Sequence, residues 1–308
     1  MKLSKRISNT KTSATIAMSM KARELMAKGK DIISLSAGEP DFDTPEYIKK
    51  AAIDAINTGN TKYTPVDGML NLKEAIVKKF KNENNLNYSA DQIIVSTGCK
   101  QSIYNLCQAT LDLGDEVLIP SPYWVSYPEI VKLSDATPIF VNTTSETDFK
   151  ITGKILEESI TKKTRMLLLN SPSNPSGFIY NVEDLKEIGD VLKNYPDIII
   201  ASDDIYEHVI FNNKKFTNIQ NVCPELYDQT VILNGVSKAY FDAEGNLNKY
   251  YSYFDPNVIK FYRKFIYAIS SFFSQNGIQS DVVTAEMGTI NSSGEYIYPI
   301  QDSSLSFD

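Results

Sequence analysis

Six short apolar runs alternate with helical patterns through the middle of the chain. The runs span residues 93–95, 117–119, 138–141, 166–169, 198–200 and 231–233. Patterns with helical periodicity lie between most of them, for example at 102–111, 126–133 and 182–193. Strands that are apolar along their whole length and alternate with helices are typical of a parallel sheet that helices cover on both faces. The pattern therefore predicts an α/β fold in which a mostly parallel sheet is sandwiched by helices.

Before residue 90 the pattern predicts three helices separated by loops. The helices are predicted at 15–28, 46–57 and 70–80, with a short extended piece at 32–35. Thr44 and Pro45 precede the second helix, and proline at this place is a common helix-start signal. We therefore expect an amino-terminal arm and helices here, and the sheet to begin with the first apolar run.

Polar loops follow five of the six runs, at the point where each run ends. They span residues 96–101, 120–127, 170–177, 201–207 and 234–240. In an open parallel sheet, ligands bind beyond the carboxyl ends of the strands. We therefore expect these loops to meet at one edge of the sheet and to form the functional site.

The last three of these loops carry side chains with distinct chemistry. Lys238 lies just past the final run, where its amine can react with an aldehyde. A carboxylate at the buried position of Asp203 needs a cationic partner, and a protonated pyridine nitrogen is one. Tyr206, one helical turn further on, and the amide of Asn174 can both reach an oxygen on such a ring.

The first two loops can serve the same ligand. A glycine turn at Gly98 that opens a helix can present backbone N–H groups to a phosphate, and Trp124, the only tryptophan, can stack on a flat heteroaromatic ring. Each of the five features has an ordinary structural explanation: a turn glycine, a core tryptophan, a turn asparagine, a helix-capping aspartate or a surface lysine. Their occurrence at one sheet edge favours a shared ligand, and together they match pyridoxal phosphate.

Composition narrows the possible functions. The chain has 308 residues, 22% of them charged, and a formal net charge of -7, which argues against nucleic acid as a partner. Cys99, Cys107 and Cys223 have neither metal nor disulfide spacing, which favours a cytoplasmic protein. With one histidine, His208, a multi-histidine metal site is not expected. We also expect neither a signal peptide nor a membrane span.

Six motifs, in chain order, resemble those of the fold-type I, class I aminotransferases, and specifically the bacterial aspartate aminotransferase subgroup. They are 37–45 (AGEPDFDTP), 62–65 (KYTP), 121–128 (SPYWVSYP), 170–177 (NSPSNPSG), 202–207 (SDDIYE) and 234–240 (NGVSKAY). The resemblance extends over residues 1–240. It implies pyridoxal 5′-phosphate as the cofactor, and an amino acid, aspartate or glutamate by the subgroup, together with a 2-oxo acid as substrates.

The resemblance also implies a role for each matched residue. Lys238 would hold the cofactor covalently and move the proton at the substrate Cα, while Asp203 would keep the ring nitrogen protonated. Tyr206 and Asn174 would bond the ring oxygen. The remaining implied positions are Trp124 for stacking on the ring, Cys99, Lys100 and Gln101 for the phosphate, Gly38 for the substrate carboxylate, and Tyr63 for the phosphate in a partner subunit. Trp124 and Asn174 would also contact the substrate, and Lys100 would bind its side-chain carboxylate. Because the role implied for Tyr63 lies in the site of a partner subunit, the resemblance also implies a homodimer.

After Tyr240 the sequence departs from the family pattern. The family has Gly-Trp-Arg there, with an arginine that clamps the phosphate, whereas Asn246 stands at that place in this chain. An insertion in this loop would instead align Lys249 with the arginine and residues 257–272 with the helix that follows. Arg263 is the only arginine after Tyr240, so the family's second arginine, which binds the substrate α-carboxylate, has no evident counterpart.

Three functions remain open at this stage. The chain can be an active aminotransferase, a non-catalytic relic that folds and binds the cofactor, or another enzyme of the same fold such as a β-lyase. For the domains, we expect an arm and small-domain segment over residues 1–45, a cofactor-binding large domain over 46–285, and a divergent tail with an incomplete small domain over 286–308.

Overall fold

The protein is built around a parallel sheet of five strands. The computed structural model describes residues 3–11, 13–34, 38, 43–210, 214–238, 289–290 and 296–297. The sheet has the order β2-β1-β3-β4-β5. Its strands are β1 (Glu116–Ser121), β2 (Thr137–Asn142), β3 (Thr164–Asn170), β4 (Ile199–Asp203) and β5 (Thr230–Leu233). All four neighbouring pairs are parallel, so the predicted sheet is confirmed.

Helices connect the strands and precede them. They are α1 (Lys5–Ser8), α2 (Ala14–Ala27), α3 (Glu46–Asn57), α4 (Leu70–Asn84), α5 (Cys99–Thr110), α6 (Ser126–Leu133), α7 (Gly153–Ser159), α8 (Val182–Leu192) and α9 (Ile219–Val222). Short 3₁₀ turns lie at Ala90–Gln92, Ser145–Thr147 and Pro224–Gln229, and the small strands β6 (Thr289–Ile290) and β7 (Tyr296–Ile297) form an antiparallel pair. In the described part of the chain, no helix combines the length and the apolar character that crossing a membrane requires.

The two faces of β3 show how the sheet is covered. Leu167 and Leu169 belong to a hydrophobic cluster with side chains of α7, α8 and α9. Met166 and Leu168 belong to a second cluster with side chains of α5 and α6. Because successive side chains of a strand point to opposite faces, an uninterrupted apolar run requires burial on both sides. All four side chains are at most 1% exposed, which confirms the sandwich.

The prediction of a strand at 93–95 is wrong. These residues have no regular structure, and the N–H of Val95 donates to the carbonyl of Asp67 at 3.0 Å instead of to a strand. Ile93 packs with Phe80 and Leu86 in a small separate cluster, whereas Ile94 is 71% exposed. The apolar run is therefore explained by packing against α4 and not by a place in the sheet.

Several predictions fall on residues that the structure does not describe. The phosphate-clamp position at Asn246, its alternative Lys249 and the helix at 257–272 lie outside the described residues. So does all of the expected tail 286–308 except β6 and β7. The division of the chain into domains stays a prediction.

Candidate active site

Three adjacent strands, β3, β4 and β5, end at the same edge of the sheet. Asp203 is the last residue of β4, and it pairs in register with Asn170 at the end of β3 and with Leu233 at the end of β5. Lys238 follows β5 after four intervening residues. The loops that the sequence assigned to one site therefore converge, because parallel strands place all their carboxyl ends together.

Asp203 is the most deeply buried ionisable group among the predicted site residues. It is 3% exposed, and its Oδ1 accepts from the N–H of Ile205 at 3.3 Å and lies 3.9 Å from the Sγ of Cys99. Burial raises the pKa of the Asp203 carboxyl above its usual range, and the bonds to this carboxylate oppose that rise only in part. Within the described part of the chain, no lysine or arginine pairs with Asp203. A carboxylate in this setting fits a protonated ring nitrogen.

Tyr127 is a site residue for which sequence reasoning gave no role. Its hydroxyl donates to Oδ2 of Asp203 at 2.5 Å. Burial raises the pKa of the Tyr127 phenol well above its usual range, and the neighbouring carboxylate raises it further, so the phenol stays protonated and donates. Tyr127 lies three residues after Trp124, and that spacing on a helix start was the signal that could have linked the two.

Trp124 lies between Tyr127 and Lys100. Its ring meets that of Tyr127 edge to face, with centroids 5.4 Å apart and planes at 89°. The ammonium of Lys100 lies 4.9 Å from the centroid of the Trp124 ring. The indole is half-buried, so it is neither a core residue nor a surface residue. Its partners hold it in one orientation, as a stacking platform requires.

Asn174 and Tyr206 contact each other. The Nδ2 of Asn174 donates to the Tyr206 hydroxyl at 3.3 Å. Asn170, a second residue that sequence reasoning missed, fixes this pair: its Oδ1 accepts from the N–H of Asn174 at 2.8 Å, and its Nδ2 donates to the carbonyl of Asp203 at 2.9 Å. Two donors suited to one ring oxygen are thus tied to the strand end that carries Asp203. Tyr127, Asn170 and Asn174 also line one open pocket.

Lys238 reaches the same group of residues. Its Nζ donates to the carbonyl of Gly38 at 2.7 Å and lies 5.8 Å from the centroid of the Tyr206 ring. The structure therefore brings together the predicted reactive amine, the predicted ring-oxygen ligand and the backbone predicted to face the substrate carboxylate. The distances place an amine beside a phenol ring, which is compatible with capture of an aldehyde at this position.

Helix α5 begins at this edge with the predicted phosphate-binding residues. Gly98, which precedes it, has a φ of +83°, a conformation that favours glycine. The first N–H groups of an α-helix have no acceptor within the helix, so the turn at Cys99 and Lys100 suits an anion. The side chain of Gln101 is used differently, because its Oε1 accepts from the N–H of Thr97 at 2.5 Å. Burial raises the pKa of the Cys99 thiol, so it is neutral.

Tyr63 is the one predicted site residue that the structure keeps apart from the others. Its side chain is fully exposed, in the loop that precedes α4. No hydrogen bond or ring contact joins Tyr63 to the other predicted site residues within the described part of the chain.

The arrangement as a whole fits pyridoxal phosphate. A buried carboxylate without a cationic partner in the described residues, two donors for a ring oxygen, a half-buried indole, a helix start and an amine lie at one edge. Each matches a different part of that molecule: the ring nitrogen, the ring oxygen, the ring face, the phosphate and the aldehyde.

Comparison with known proteins places the chain among related sequences. The family model of class I and II aminotransferases matches residues 30–245. The chain is 56% identical over 240 residues to the aspartate/prephenate aminotransferase of Nitrosomonas europaea, with 78% of this chain and 60% of the relative covered. It is 55% identical over 238 residues to the probable aspartate/prephenate aminotransferase of Rickettsia felis, with 77% and 58% covered. The chain thus spans about 60% of the length of the curated relatives it matches.

Solved structures share the fold. Aspartate aminotransferase from Rhizobium meliloti superimposes with a TM-score of 0.75 at 38% identity, over 92% of this chain and 70% of that one. Aspartate aminotransferase from Thermus thermophilus, solved with maleate, gives a TM-score of 0.74 at 37% identity, over 92% and 72%. In both comparisons this chain corresponds to a part of a longer protein.

Proposed function

Because this chain belongs to the class I and II aminotransferase family, we propose that it is a pyridoxal-phosphate-dependent aminotransferase, which transfers an amino group between an amino acid and a 2-oxo acid. The observation that carries the proposal is the buried carboxylate of Asp203, unpaired with any lysine or arginine in the described residues, at the edge from which the amine of Lys238 extends. A carboxylate at this depth is costly to bury unless it is paired or fully hydrogen-bonded. A ligand cation would supply the pairing that Asp203 lacks among the described residues.

Lys238 carries out the central steps. Class I aminotransferases of this kind use pyridoxal 5′-phosphate. When bound, it supplies an aldehyde that captures amines and a ring that accepts electrons. The Lys238 amine would hold the cofactor covalently. Once free of that link, the same amine would accept the proton of the substrate Cα as a general base and give that proton back as a general acid.

The other site residues would bind the ring and the phosphate of the cofactor. Asp203 would keep the ring nitrogen protonated, since an ion pair at a buried position is stronger than one in water. Tyr206 and Asn174 would donate to the ring oxygen, and Trp124 would stack on the ring. The start of α5, from Cys99 to Gln101, would hold the phosphate.

The substrate class follows from Lys100 and the relatives. The family resemblance implies that Lys100 binds the side-chain carboxylate of the substrate. The ammonium of Lys100 lies over the Trp124 ring, beside the proposed ring site. The Thermus structure was solved with maleate, a dicarboxylate, and the relatives carry aspartate and prephenate in their names. We therefore assign dicarboxylic amino acids as donors and dicarboxylic 2-oxo acids as acceptors. The backbone of Gly38 faces the second carboxylate.

The sequence beyond Tyr240 favours a second function, which is cofactor binding with little or no turnover. Asn246 stands where the family pattern has a phosphate-binding arginine, and Arg263 is the only arginine after Tyr240. These departures favour a chain that binds the cofactor through Lys238 but turns over slowly or not at all. A β-lyase remains the third alternative.

One experiment separates these functions. Purified protein is mixed with pyridoxal phosphate, the absorbance of lysine-bound cofactor is recorded, and aspartate is added with 2-oxoglutarate. An aminotransferase changes the absorbance and releases oxaloacetate and glutamate. A chain that binds without turnover keeps its absorbance unchanged, and a β-lyase releases pyruvate from a suitable substrate. If the absorbance of lysine-bound cofactor never forms, the proposed function is wrong.

We also propose a homodimer in the cytoplasm. The exposed side chain of Tyr63 supports the first part, since the resemblance has this residue reach the site of a second copy. Cys99, Cys107 and Cys223 are all free thiols, which supports a reducing compartment. Sedimentation of the purified chain, with and without cofactor, tests the dimer.

The hydroxyl of Tyr127 is expected to matter for cofactor affinity. In Tyr127→Phe the Asp203 carboxylate loses a donor, so its pKa rises further and its pairing with a ring cation weakens. Because a hydrogen bond to a charged group contributes about 1.5–3 kcal/mol, we expect affinity for pyridoxal phosphate to fall about tenfold or more. Titration of the cofactor absorbance measures this. Tyr104→Phe, at an exposed tyrosine on α5, is the control, and equal affinities in both variants would contradict the assignment.

The charge of Lys100 is expected to govern substrate choice. In Lys100→Met we expect KM for aspartate to rise about tenfold or more, because a charge-assisted bond to the side-chain carboxylate is lost. KM for leucine, which has no such carboxylate, should change much less. Steady-state kinetics with both donors measures the difference, and cofactor affinity in the same variant shows whether the start of α5 is intact. An equal rise for both donors would remove Lys100 from substrate recognition.

A further inference from the structure

Glu207 is a buried carboxylate next to the site that the mechanism above does not use. It is 4% exposed and follows Tyr206 directly, in the turn after β4. The N–H of Glu207 donates to the carbonyl of Asp204 at 2.9 Å, so its backbone belongs to the same turn as the ring ligands. Its side chain points away from that turn towards two other elements. When all the hydrogen bonds of a buried carboxylate are made, the carboxylate holds the segments that donate those bonds in fixed positions.

The first of those elements is the loop that carries Lys238. The Nδ2 of Asn234 donates to Oε1 of Glu207 at 2.8 Å, and Oδ1 of Asn234 accepts from the N–H of Gly235 at 2.7 Å. Both ends of the Asn234 side chain are therefore used, one in the loop and one on Glu207. A Cβ added at Gly235 would lie 3.2 Å from Ile205, so the loop also packs tightly against the turn.

The second element is helix α4. Lys79 donates to Oε1 of Glu207, and Asn84 donates through Nδ2 to Oε2. Lys79 also donates to Oδ1 of Asn84 at 2.7 Å, which holds the two donors in place. The Lys79 ammonium compensates the negative charge of the buried Glu207 carboxylate.

The surrounding groups complete the network. The Nε2 of His208 lies 3.4 Å from Oε1 of Glu207 and 3.3 Å from Oε2 of Glu83. Glu83 in turn lies 3.8 Å from the Lys79 ammonium. Burial lowers the pKa of His208, so at neutral pH the imidazole is uncharged and Lys79 is the cation that faces Glu207. The carboxylate is therefore occupied by an ion pair and by amide donors.

We propose that Glu207 is a positioning residue that acts through Asn234: it fixes the loop carrying Lys238 relative to the turn carrying Asp203 and Tyr206. This inference rests on the proposed function, since it concerns where the reactive amine stands relative to the ring ligands. The bond from Asn234 to Glu207 is four residues before Lys238, so its loss lets the amine shift without removing it. Misplacement of a reacting group by about 1 Å can lower a rate about 100-fold.

Asn234→Ala is the decisive variant, because it breaks the link to the loop and leaves the ion pair between Lys79 and Glu207 intact. Glu207→Gln breaks the link from the other side but also removes the nearer carboxylate of the Lys79 ammonium, which then keeps only Glu83 at 3.8 Å. Asp184→Asn is the matched control: this half-buried carboxylate pairs with Lys150 at 2.6 Å and accepts from the N–H of Asn181 at the start of α8, with no contact to the Lys238 loop. The double variant of Asn234→Ala with Glu207→Gln completes the set.

Two readouts distinguish positioning from plain stability. The first is attachment of pyridoxal phosphate to Lys238, trapped with borohydride at timed intervals and measured as the modified peptide by mass spectrometry. We expect Asn234→Ala to slow attachment about tenfold or more, and kcat to fall by up to about 100-fold while KM for the donor stays nearly constant. Asp184→Asn should lower the melting temperature but leave both rates unchanged.

The double variant gives the second readout. If Glu207 acts through Asn234, the double variant attaches the cofactor no more slowly than Glu207→Gln alone, because the two changes break one link. Multiplying effects would overturn the inference, and so would an attachment rate in Asn234→Ala within about twofold of the unmodified chain. Failure of the unmodified chain to attach cofactor at Lys238 would instead overturn the proposed function.

Discussion

Replacing Lys238 with alanine is expected to abolish both covalent attachment of pyridoxal phosphate and amino transfer. The amine of Lys238 lies 2.7 Å from the carbonyl of Gly38 and beside the Tyr206 ring, and it is the reactive group that we assign to both tasks. Loss of a general acid and base costs about 10⁴-fold in rate at the upper end of its usual range, and loss of the covalent link adds to that. Borohydride trapping followed by peptide mass measurement, together with a coupled assay for oxaloacetate, measures both effects.

Two matched variants make the Lys238 result interpretable. Lys238→Arg keeps a cation at the position, but a guanidinium does not lose its proton and cannot attack an aldehyde, so it should be as inactive as the alanine variant. Lys154→Ala removes a lysine whose side chain is 84% exposed on α7, and it should behave as the unmodified chain does. Retention of the trapped adduct in Lys238→Ala would assign attachment to another lysine.

Asp203→Asn is expected to give a protein that is less active but no less stable without cofactor. The carboxylate that keeps the ring nitrogen protonated is lost, and we expect the transfer rate to fall about 10³-fold, as when other preorganised charges are removed from buried sites. In the cofactor-free protein the same carboxylate is 3% exposed, with no lysine or arginine paired to it in the described residues. The amide avoids the cost of burying that charge.

The pH dependence of this stability effect has a definite sign. Burial raises the pKa of Asp203 above the value of the unfolded chain, so between the two pKa values the folded state binds more protons. The free energy of unfolding therefore falls as pH rises through that interval, and stays lower above it. Relative to the unmodified chain, cofactor-free Asp203→Asn should gain stability as pH rises from acid to neutral.

Melting temperatures across this pH range, with and without pyridoxal phosphate, test the assignment of Asp203. Saturating cofactor should stabilise the unmodified chain far more than Asp203→Asn, because only the carboxylate pairs with the ring cation. Asp184→Asn again serves as the control, since its carboxylate is paired with Lys150. A variant that loses stability at neutral pH without cofactor would mean that Asp203 is a structural anion.

The parts of the site that follow from strand order could be predicted from the sequence. Asp203, Asn174, Tyr206 and Lys238 each lie three to six residues after the end of an apolar run, and parallel strands bring such positions together whatever the sequence distance. The uninterrupted apolar character of β3 was enough to predict burial on both faces. These features are local in sequence, which is why a pattern reveals them.

Contacts between distant segments could not be predicted. Tyr127 bonds a carboxylate 76 residues away, and Glu207 bonds a lysine 128 residues earlier in the chain. Neither pairing leaves a periodic signal. The strand predicted at 93–95 was wrong because a local pattern was ambiguous. Three apolar residues give the same pattern whether they pair in a sheet or pack against a helix, as Ile93 does.

The order of the strands bears on how the protein is made. From β1 through β3 and β4 to β5, the strands that end in site residues stand side by side in the order in which the ribosome produces them. Domains tend to fold from the amino terminus during synthesis. Lys238 is therefore the last of the described site residues to leave the ribosome, after every strand of the sheet has been synthesised.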